Sequence, residues 1–431
     1  MNEQRPWRRA VAWLAFLGPF FFASYGFANW LASRRSHVGA VAFDWERSIP
    51  FVAWTIVPYW SIDLLYVVSI FVCTTRRELD RHAQRLLAVQ LTSIAFFIAL
   101  PLRFSFDRPA AVGLFGALFT ALGSFDKPFN QAPSLHIGLL LVIWASLARH
   151  APPRWRWPLH AWMALIGVSI LTTYQHHFID LPTGLAVGFV VMWALPLEGE
   201  SPLRGLAPTT DRGRRTLAWR YAFGAAVCAA VAFLGGAWLW FLWPALALAF
   251  VSLNYIVLGP NGFQKDVGGQ LSAGARGLLL PYLIGARINS RLWTRRHPKP
   301  VEIVDDVWIG RIPSATDLRA SSFKAVVDLS AELSCGADAN RIYRGFPVLD
   351  LTVPDAAILR AAAEAIDEVR QRGPVLVCCA LGYSRSAAAV AAWLLMTDRA
   401  ATVESALASV QKVRPSIVLK REHCSALEVF A

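Results

Sequence analysis

Cysteine is scarce in this 431-residue chain. The six that occur, Cys73, Cys228, Cys335, Cys378, Cys379 and Cys424, lack the spacing of a disulfide scaffold, which suits a reduced cytosolic domain. Internal repeats and low-complexity tracts of note are also missing. Acidic residues are in the minority, 29 against 42 Lys and Arg, for a net charge of +13. Much of that excess lies in short loops beside apolar runs, so no nucleic-acid partner is needed to account for it. Apolar residues are what the chain has in quantity. They make up 55%, with 18 Trp and a mean hydropathy of +0.42, too apolar for one soluble fold of this length.

Near-continuous apolar stretches at 10–32, 51–74, 86–101, 134–147, 157–174, 181–197, 217–234 and 237–258 predict about eight bilayer spans, the shorter ones completed by flanking residues. The run 110–122 is short and reads as a re-entrant or interfacial piece. The first stretch follows Arg5, Arg8 and Arg9 and is too long for a cleavable signal core, so a retained anchor is expected. Basic residues set the orientation. Arg76, Arg77, Arg81 and Arg85, then Arg149, Arg154 and Arg156, then Arg204, Arg212, Arg214 and Arg215 all fall in loops on one side. Arg34, Arg35 and Arg47 lie in the first loop of the other side, partly offset by Asp44 and Glu46. The expectation is a multi-pass protein of the cell (inner) membrane with both termini cytoplasmic.

The most telling segment lies in the last third. Val375-Leu376-Val377-Cys378-Cys379 reads as an apolar strand, and Ala380-Leu381-Gly382-Tyr383-Ser384 separates Cys379 from Arg385 at the head of a helix with Ser386. A loop of this length turns backbone N–H groups inward on an anion, and the following helix aims its N-terminus at it. The same field lowers the thiol pKa and makes Cys379 a nucleophile, while the Arg385 fork matches two phosphate oxygens. The bland alternative is a buried strand end and a helix cap. On these residues the chain resembles the cysteine-dependent dual-specificity protein tyrosine phosphatases over 301–431. Val307-Trp308-Ile309-Gly310-Arg311 is similar to that family's opening strand, Ala325-Val326-Val327-Asp328-Leu329 to its next strand, and Val410-Gln411-Lys412-Val413-Arg414-Pro415 to its closing helix and turn. Cys378 stands where the family usually has histidine. The resemblance implies catalytic roles for Cys379, Arg385 and Ser386, phosphate binding by Ala380 to Ser384, and an aspartate acid about 30 residues upstream. Asp350 sits at the better distance; Asp355, after Pro354, reads as a helix N-cap. Helices are expected near 356–371, 386–396 and 403–413, around a small sheet.

A second set appears at the span mouths on the other side. Asn130-Gln131-Ala132-Pro133-Ser134-Leu135-His136 precedes the fourth span, and Thr173-Tyr174-Gln175-His176-His177-Phe178-Ile179-Asp180 lies between the fifth and sixth. Ionisable groups there are costly and read as functional. His176 and Asp180 are four apart, so on a helix the carboxylate holds one ring nitrogen and leaves the other free to attack phosphorus. His136 is placed to protonate the leaving group, and Ser134 to present helix N–H groups to phosphate. This set resembles the type-2 phosphatidate phosphatase superfamily over about residues 30–197, closest to the branch holding inositol phosphorylceramide and sphingomyelin synthases. Arg108-Pro109 matches the end of its first motif, with Arg103 the nearest upstream base, and both are assigned to phosphate. On spacing alone His177 is also in reach of Asp180, the three groups resemble a zinc set, and Asp63 inside the second span reads equally as a functional or a structural acid.

The expected organisation is therefore a multi-pass α-helical membrane domain at 1–200, two further transmembrane helices at 201–258, a basic interfacial linker at 259–300 lying on the inner leaflet, and a soluble α/β cysteine-phosphatase domain at 301–431. Arg276, Arg287, Arg291, Arg295, Arg296 and Lys299 carry the linker's charge. The function expected is bifunctional phosphatase chemistry. An outer-face histidine site would take a lipid or isoprenoid phosphate, and a cytoplasmic cysteine site a phosphorylated lipid or protein. No metal or cofactor is called for, and membrane lipids are the expected partners. Two alternatives stand: headgroup transfer to an alcohol at the histidine site, and a phosphate-sensing module without turnover at the cysteine site.

Overall fold

The computed structural model describes residues 5–337 and 340–431, and the chain divides into two compact units at Ser201/Pro202. The first unit is helical: α1 Trp7–Ser33, α2 Ile56–Phe71, α3 Arg76–Ala99, α4 Gly113–Gly123, α5 Leu135–His150, α6 Pro153–Thr172 and α7 Asp180–Ala194. Caps follow the local chemistry. Thr75 accepts the Glu78 N–H at the start of α3, and Ser134 accepts the Ile137 N–H at the start of α5. Helix α5 packs between α3 and α7. Gly184 lets α7 approach so closely that a Cβ there would overlap the Ser134 carbonyl. Leu86, Val89, Ile137, Ile143, Met163 and Ile166 are fully buried at the centre of this bundle.

Each of the eight apolar stretches falls on helix. Among the described residues, however, three helical stretches are both long and apolar enough to cross a membrane: Trp7–Ser33, Ala53–Phe71 and Gly236–Phe263. The reason is length and charge. Helices α5 and α7 have 16 and 15 residues, about 24 Å of rise against a hydrocarbon core of about 30 Å. Helix α3 has 24 residues but opens on Arg76, Arg77, Glu78, Asp80 and Arg81. The stretch expected to be re-entrant becomes α4, with 11 residues.

The second unit begins with a hairpin, α8 Arg212–Ala232 and α9 Leu242–Leu253, which continues through a π-helical turn at Asn254–Leu258. Helix α10 Ala273–Trp293 packs on α9. Then come β1 Val301–Val304, β2 Val307–Arg311, α11 Ala315–Arg319, β3 Ala325–Ser330, β4 Ile342–Val348, α12 Ala356–Arg370, β5 Val375–Cys379, α13 Arg385–Met396, α14 Val403–Val413 and α15 Arg421–Leu427. The sheet order is β1-β2-β5-β3-β4, with β1 antiparallel to β2 and the other pairs parallel. This is the α/β domain expected from the sequence.

Strand alternation decides which side chains go where. Val375, Val377 and Cys379 face one layer, packed with Leu359 and Ile366 of α12, Val390 and Trp393 of α13 and Val410 of α14. Leu376 and Cys378 face the other, with Leu318, Phe323, Val326 and Cys335, and Ala286 of α10 packs against that face.

The segment 259–300 also makes contacts with the catalytic domain. Lys265 is buried against Asp328 and donates to the Ser330 carbonyl at 2.7 Å, and Arg291 donates to the Ile312 carbonyl at 3.0 Å. A buried ammonium needs such partners, and here they belong to the sheet. Helix α10 carries apolar residues on two faces. One face, with Ala275, Leu278, Leu279 and Ser290, is buried, while Leu280, Ile284, Ile288 and Leu292 form an exposed apolar stripe at four-residue spacing.

Candidate active sites

The loop 380–384 joins the end of β5 to the start of α13, at the carboxyl edge of a parallel strand, where open α/β sheets place ligands. Four of its carbonyls are held by groups outside the loop. Ala380 O accepts from the Ser290 hydroxyl at 2.6 Å, Leu381 O and Gly382 O from the Arg414 guanidinium at 3.3 and 2.9 Å, and Tyr383 O from the Val418 N–H at 2.9 Å. Gly382 has φ +73° and a Cβ there would overlap the Gly310 carbonyl, so only glycine passes. Inside the loop the Gly382 N–H donates to Cys379 Sγ at 3.2 Å, and the Ser386 Oγ lies 3.4 Å from the same sulfur.

Burial acts to raise the Cys379 thiol, yet Arg385, the Ser386 hydroxyl and the backbone N–H groups outweigh it and hold its pKa below the ordinary thiol value. Cys378, on the other face, has no such field. Burial, then Asp328 and Cys335, push its thiol well up. Of two adjacent cysteines, one thiol thus lies in a positive field and the other in an apolar layer of the core.

Arg385 is 2% exposed and held by three groups. It grips Glu332 with Nη1 to Oε2 at 2.9 Å and Nη2 to Oε1 at 2.8 Å, donates from Nη2 to Asp350 Oδ1 at 2.8 Å, and from Nη1 to the Val348 carbonyl at 2.7 Å. The two carboxyls then part company. Burial raises Glu332, but Arg385 outweighs it and keeps that carboxyl below the usual range; burial, only partly countered by Arg385, and Glu332 itself push Asp350 up. One is a fixed counter-charge and the other is suited to carry a proton. Asp355 stands outside this set, its Oδ1 accepting the Ile358 N–H at 2.8 Å as the N-cap of α12.

Sequence reasoning passed over Glu332, Arg414 and Ser290. The available signal for Glu332 was its place just beyond the end of β3, and for Arg414 its place at the end of the closing helix. Ser384, expected to bind phosphate, has its hydroxyl 2.8 Å from His423 Nε2.

In the first unit, His136 and His176 line one cavity of about 310 Å³ together with Tyr25, Tyr59, Asp63 and Asp126. His176 Nδ1 lies 2.9 Å from Asp180 Oδ2. His136 stacks on Tyr59 at 4.4 Å between centroids and its buried Nε2 has no hydrogen-bond partner among the described residues. His177 is taken up elsewhere, by Glu46 at 3.0 Å and by the Ser105 N–H at 3.0 Å. The Ser134 hydroxyl caps α5, accepting the Ile137 N–H at 3.3 Å. Arg103 and Arg108, both exposed, are not among the residues that line this cavity. Arg108 instead donates to the Tyr174 carbonyl at 3.2 Å and lies over the Phe119 ring. Asp126, which accepts from the Tyr25 hydroxyl at 2.6 Å, is a cavity acid that no motif flagged. Among the described residues no group of three or more His, Cys, Asp or Glu side chains is arranged to hold a metal ion.

Residues 307–431 match the family described as the dual specificity phosphatase catalytic domain. That part of the chain is a phosphatase domain of this type. No curated protein matches the chain. Among solved structures, PTPMT1 is similar at 22% identity, over 31% of this chain and 93% of its own, with a TM-score of 0.28, and its complex with PI(5)P at 21% identity, over 30% and 93%, with the same TM-score. Tk-PTP in its active form is 27% identical over 31% of this chain and 97% of its own, TM-score 0.28. Human DUSP28 is 22% identical over 31% and 93%, TM-score 0.29.

Proposed function

We propose that this chain is a membrane-embedded phosphatase whose Cys379 site hydrolyses a phosphomonoester on the cytoplasmic side. The observation that carries the reading is the Cys379 sulfur facing the Gly382 N–H and Ser386 Oγ beside a buried Arg385. The thiolate attacks phosphorus, a P–S bond forms, the P–O bond to the leaving group breaks, and Asp350 gives that oxygen its proton. Water then attacks the phosphocysteine. Its proton returns to Asp350, the P–S bond breaks, and inorganic phosphate leaves with the thiolate restored. Ser386 and Gly382 stabilise the sulfur anion as leaving group, and the inward N–H groups of 380–384 with Arg385 stabilise the phosphoryl oxygens. The test is turnover of para-nitrophenyl phosphate by the full chain in detergent with a chelator present. Hydrolysis lost in Cys379→Ser supports the reading. Absence of hydrolysis in the unsubstituted chain would favour a sensing module and overturn it.

A second reading rests on the cavity shared by His136 and His176. We propose a histidine site there for a lipid or isoprenoid phosphate. Nε2 of His176, with Nδ1 held by Asp180, attacks phosphorus, and His136 protonates the leaving oxygen. In this reading the apolar helices form about eight spans, with the histidine site on the outer face and both termini in the cytoplasm. Product analysis with an alcohol acceptor present separates hydrolysis from transfer: a phosphomonoester donor yields the acceptor's phosphomonoester in place of free phosphate, and a phosphodiester lipid donor yields the acceptor's phosphodiester in place of the free headgroup phosphate.

A further inference from the structure

A cavity of about 330 Å³ has Glu332, Asp350, Ala380 and Leu381 as its floor. Its walls come from Tyr221 of α8, Pro244 and Leu248 of α9 and Gly285 of α10. These helices are bonded to the catalytic parts. The Tyr255 hydroxyl, just past α9, donates to the Asp350 carbonyl at 2.9 Å, Ser290 of α10 donates to Ala380 O, and the Tyr383 hydroxyl donates to the Trp293 carbonyl at 3.1 Å.

Two further observations say what lies beside this wall. Helix α9 belongs to Gly236–Phe263, one of the stretches long and apolar enough to cross a membrane. Helix α10 turns outward the exposed stripe Leu280, Ile284, Ile288 and Leu292, and Arg276 and Arg287 line a neighbouring cavity that also reaches Glu332. An apolar stripe flanked by arginines is the pattern of a helix set at an anionic lipid surface. The cavity that reaches Asp350 and the loop is thus walled in part by α9, whose stretch is long and apolar enough to cross a membrane, and by α10, which carries the exposed apolar stripe.

We infer that the Cys379 site takes a phosphomonoester carried by a membrane lipid, admitted between α8, α9 and α10 with its hydrocarbon left along α9 and α10. This rests on the reading of Cys379 as a phosphatase nucleophile. The hairpin and α10 are then determinants of substrate choice as well as an anchor.

The test uses the full chain carrying His176→Ala, to silence the first unit, in nanodiscs. Three substrates are compared: para-nitrophenyl phosphate, a phosphotyrosine peptide, and dioleoyl lipids of the phosphatidic acid, phosphatidylglycerol phosphate and phosphatidylinositol monophosphate types. No turnover of the aryl phosphate would sink the phosphatase reading itself. With aryl turnover present, kcat/KM for at least one lipid should exceed that for the peptide by tenfold or more; a peptide equal to or better than every lipid overturns the inference. Gly285→Trp, at a helix position with open space around it, and Leu248→Trp should each cut the lipid-to-aryl ratio of kcat/KM at least tenfold. A folded Gly285→Trp protein with an unchanged ratio overturns the inference as well.

Discussion

Arg385 and Glu332 form a closed, buried fork, two parallel N–H···O bonds of 2.9 and 2.8 Å between side chains that are 2% and 3% exposed. The bidentate geometry fixes the guanidinium plane before any anion arrives. It also makes Glu332 a residue whose loss is felt both in stability and in phosphate binding.

Glu332→Gln leaves Arg385 with Asp350 as its remaining charged partner, and breaking a buried pair from one side costs about 3–5 kcal/mol. The variant should melt earlier in detergent and bind vanadate more weakly. Glu332 has a depressed pKa in the folded state, so its contribution is present above the unfolded carboxyl pKa and lost as pH falls through the folded one. The melting difference between variant and parent should therefore shrink toward acid. A difference independent of pH would remove Glu332 from this role.

Cys379→Ser should abolish turnover, whereas Cys378→Ser should keep most of it, because the Cys378 side chain lies in the opposite layer among Leu376, Val326 and Cys335. Rapid alkylation by iodoacetamide near neutral pH, mapped by mass spectrometry, should mark Cys379 and spare Cys378. Inactivation by Cys378→Ser with Cys379→Ser active would reverse the assignment.

Asp350→Asn should slow an alkyl phosphate by about 10²–10⁴-fold and a nitrophenyl phosphate far less, since only the poor leaving group needs the proton. The raised Asp350 carboxyl supplies acid below its folded pKa, and the lowered Cys379 thiol supplies nucleophile above its own. The alkyl ester should therefore show a descending limb on the alkaline side that Asp350→Asn removes. Equal losses for both esters would exclude Asp350 as the acid.

Arg414 holds two loop carbonyls, Gly382 O at 2.9 Å and Leu381 O at 3.3 Å. Hydrogen bonds to a charged group contribute about 1.5–3 kcal/mol, so Arg414→Met should raise KM roughly tenfold or more as the loop's N–H groups lose their inward aim. A change in kcat alone, with KM and vanadate affinity intact, would contradict a positioning role.

In the first unit, with the second site silenced by Cys379→Ser, His176→Ala should remove the remaining turnover of a lipid phosphate, whereas His177→Asn should destabilise the fold and leave part of that turnover. His177 is buried between Glu46 and Ser105 and has no place on the cavity wall. Thermal melting and phosphate release on the same preparations separate the two effects. Loss of activity in His177→Asn at an unchanged melting temperature would return His177 to the chemistry.

Chain order by itself determined what depends on near neighbours. Five apolar residues, a five-residue loop and an alanine-rich helix sufficed to place Cys379, Gly382 and Arg385 at one strand–loop–helix junction, because strand, turn and helix propensities act over a few residues. The same locality set His176 and Asp180 on one side of a turn and made Asp355 a cap. Tertiary structure decided what depends on approach across the fold. Glu332 and Asp350 reach Arg385 from 53 and 35 residues away, and no period or spacing in the chain announces that. Strand register alone put Cys378 on the inert face, and distant partners at positions 46 and 105 drew His177 out of competition with His176. The segment 259–300 shows the difference most clearly. Its composition reads as a basic surface linker, but composition cannot say that Lys265 and Ser290 find partners in a sheet and a loop 63 and 90 residues further on. Burial of a charge or hydroxyl is settled only when the rest of the chain supplies the group that satisfies it.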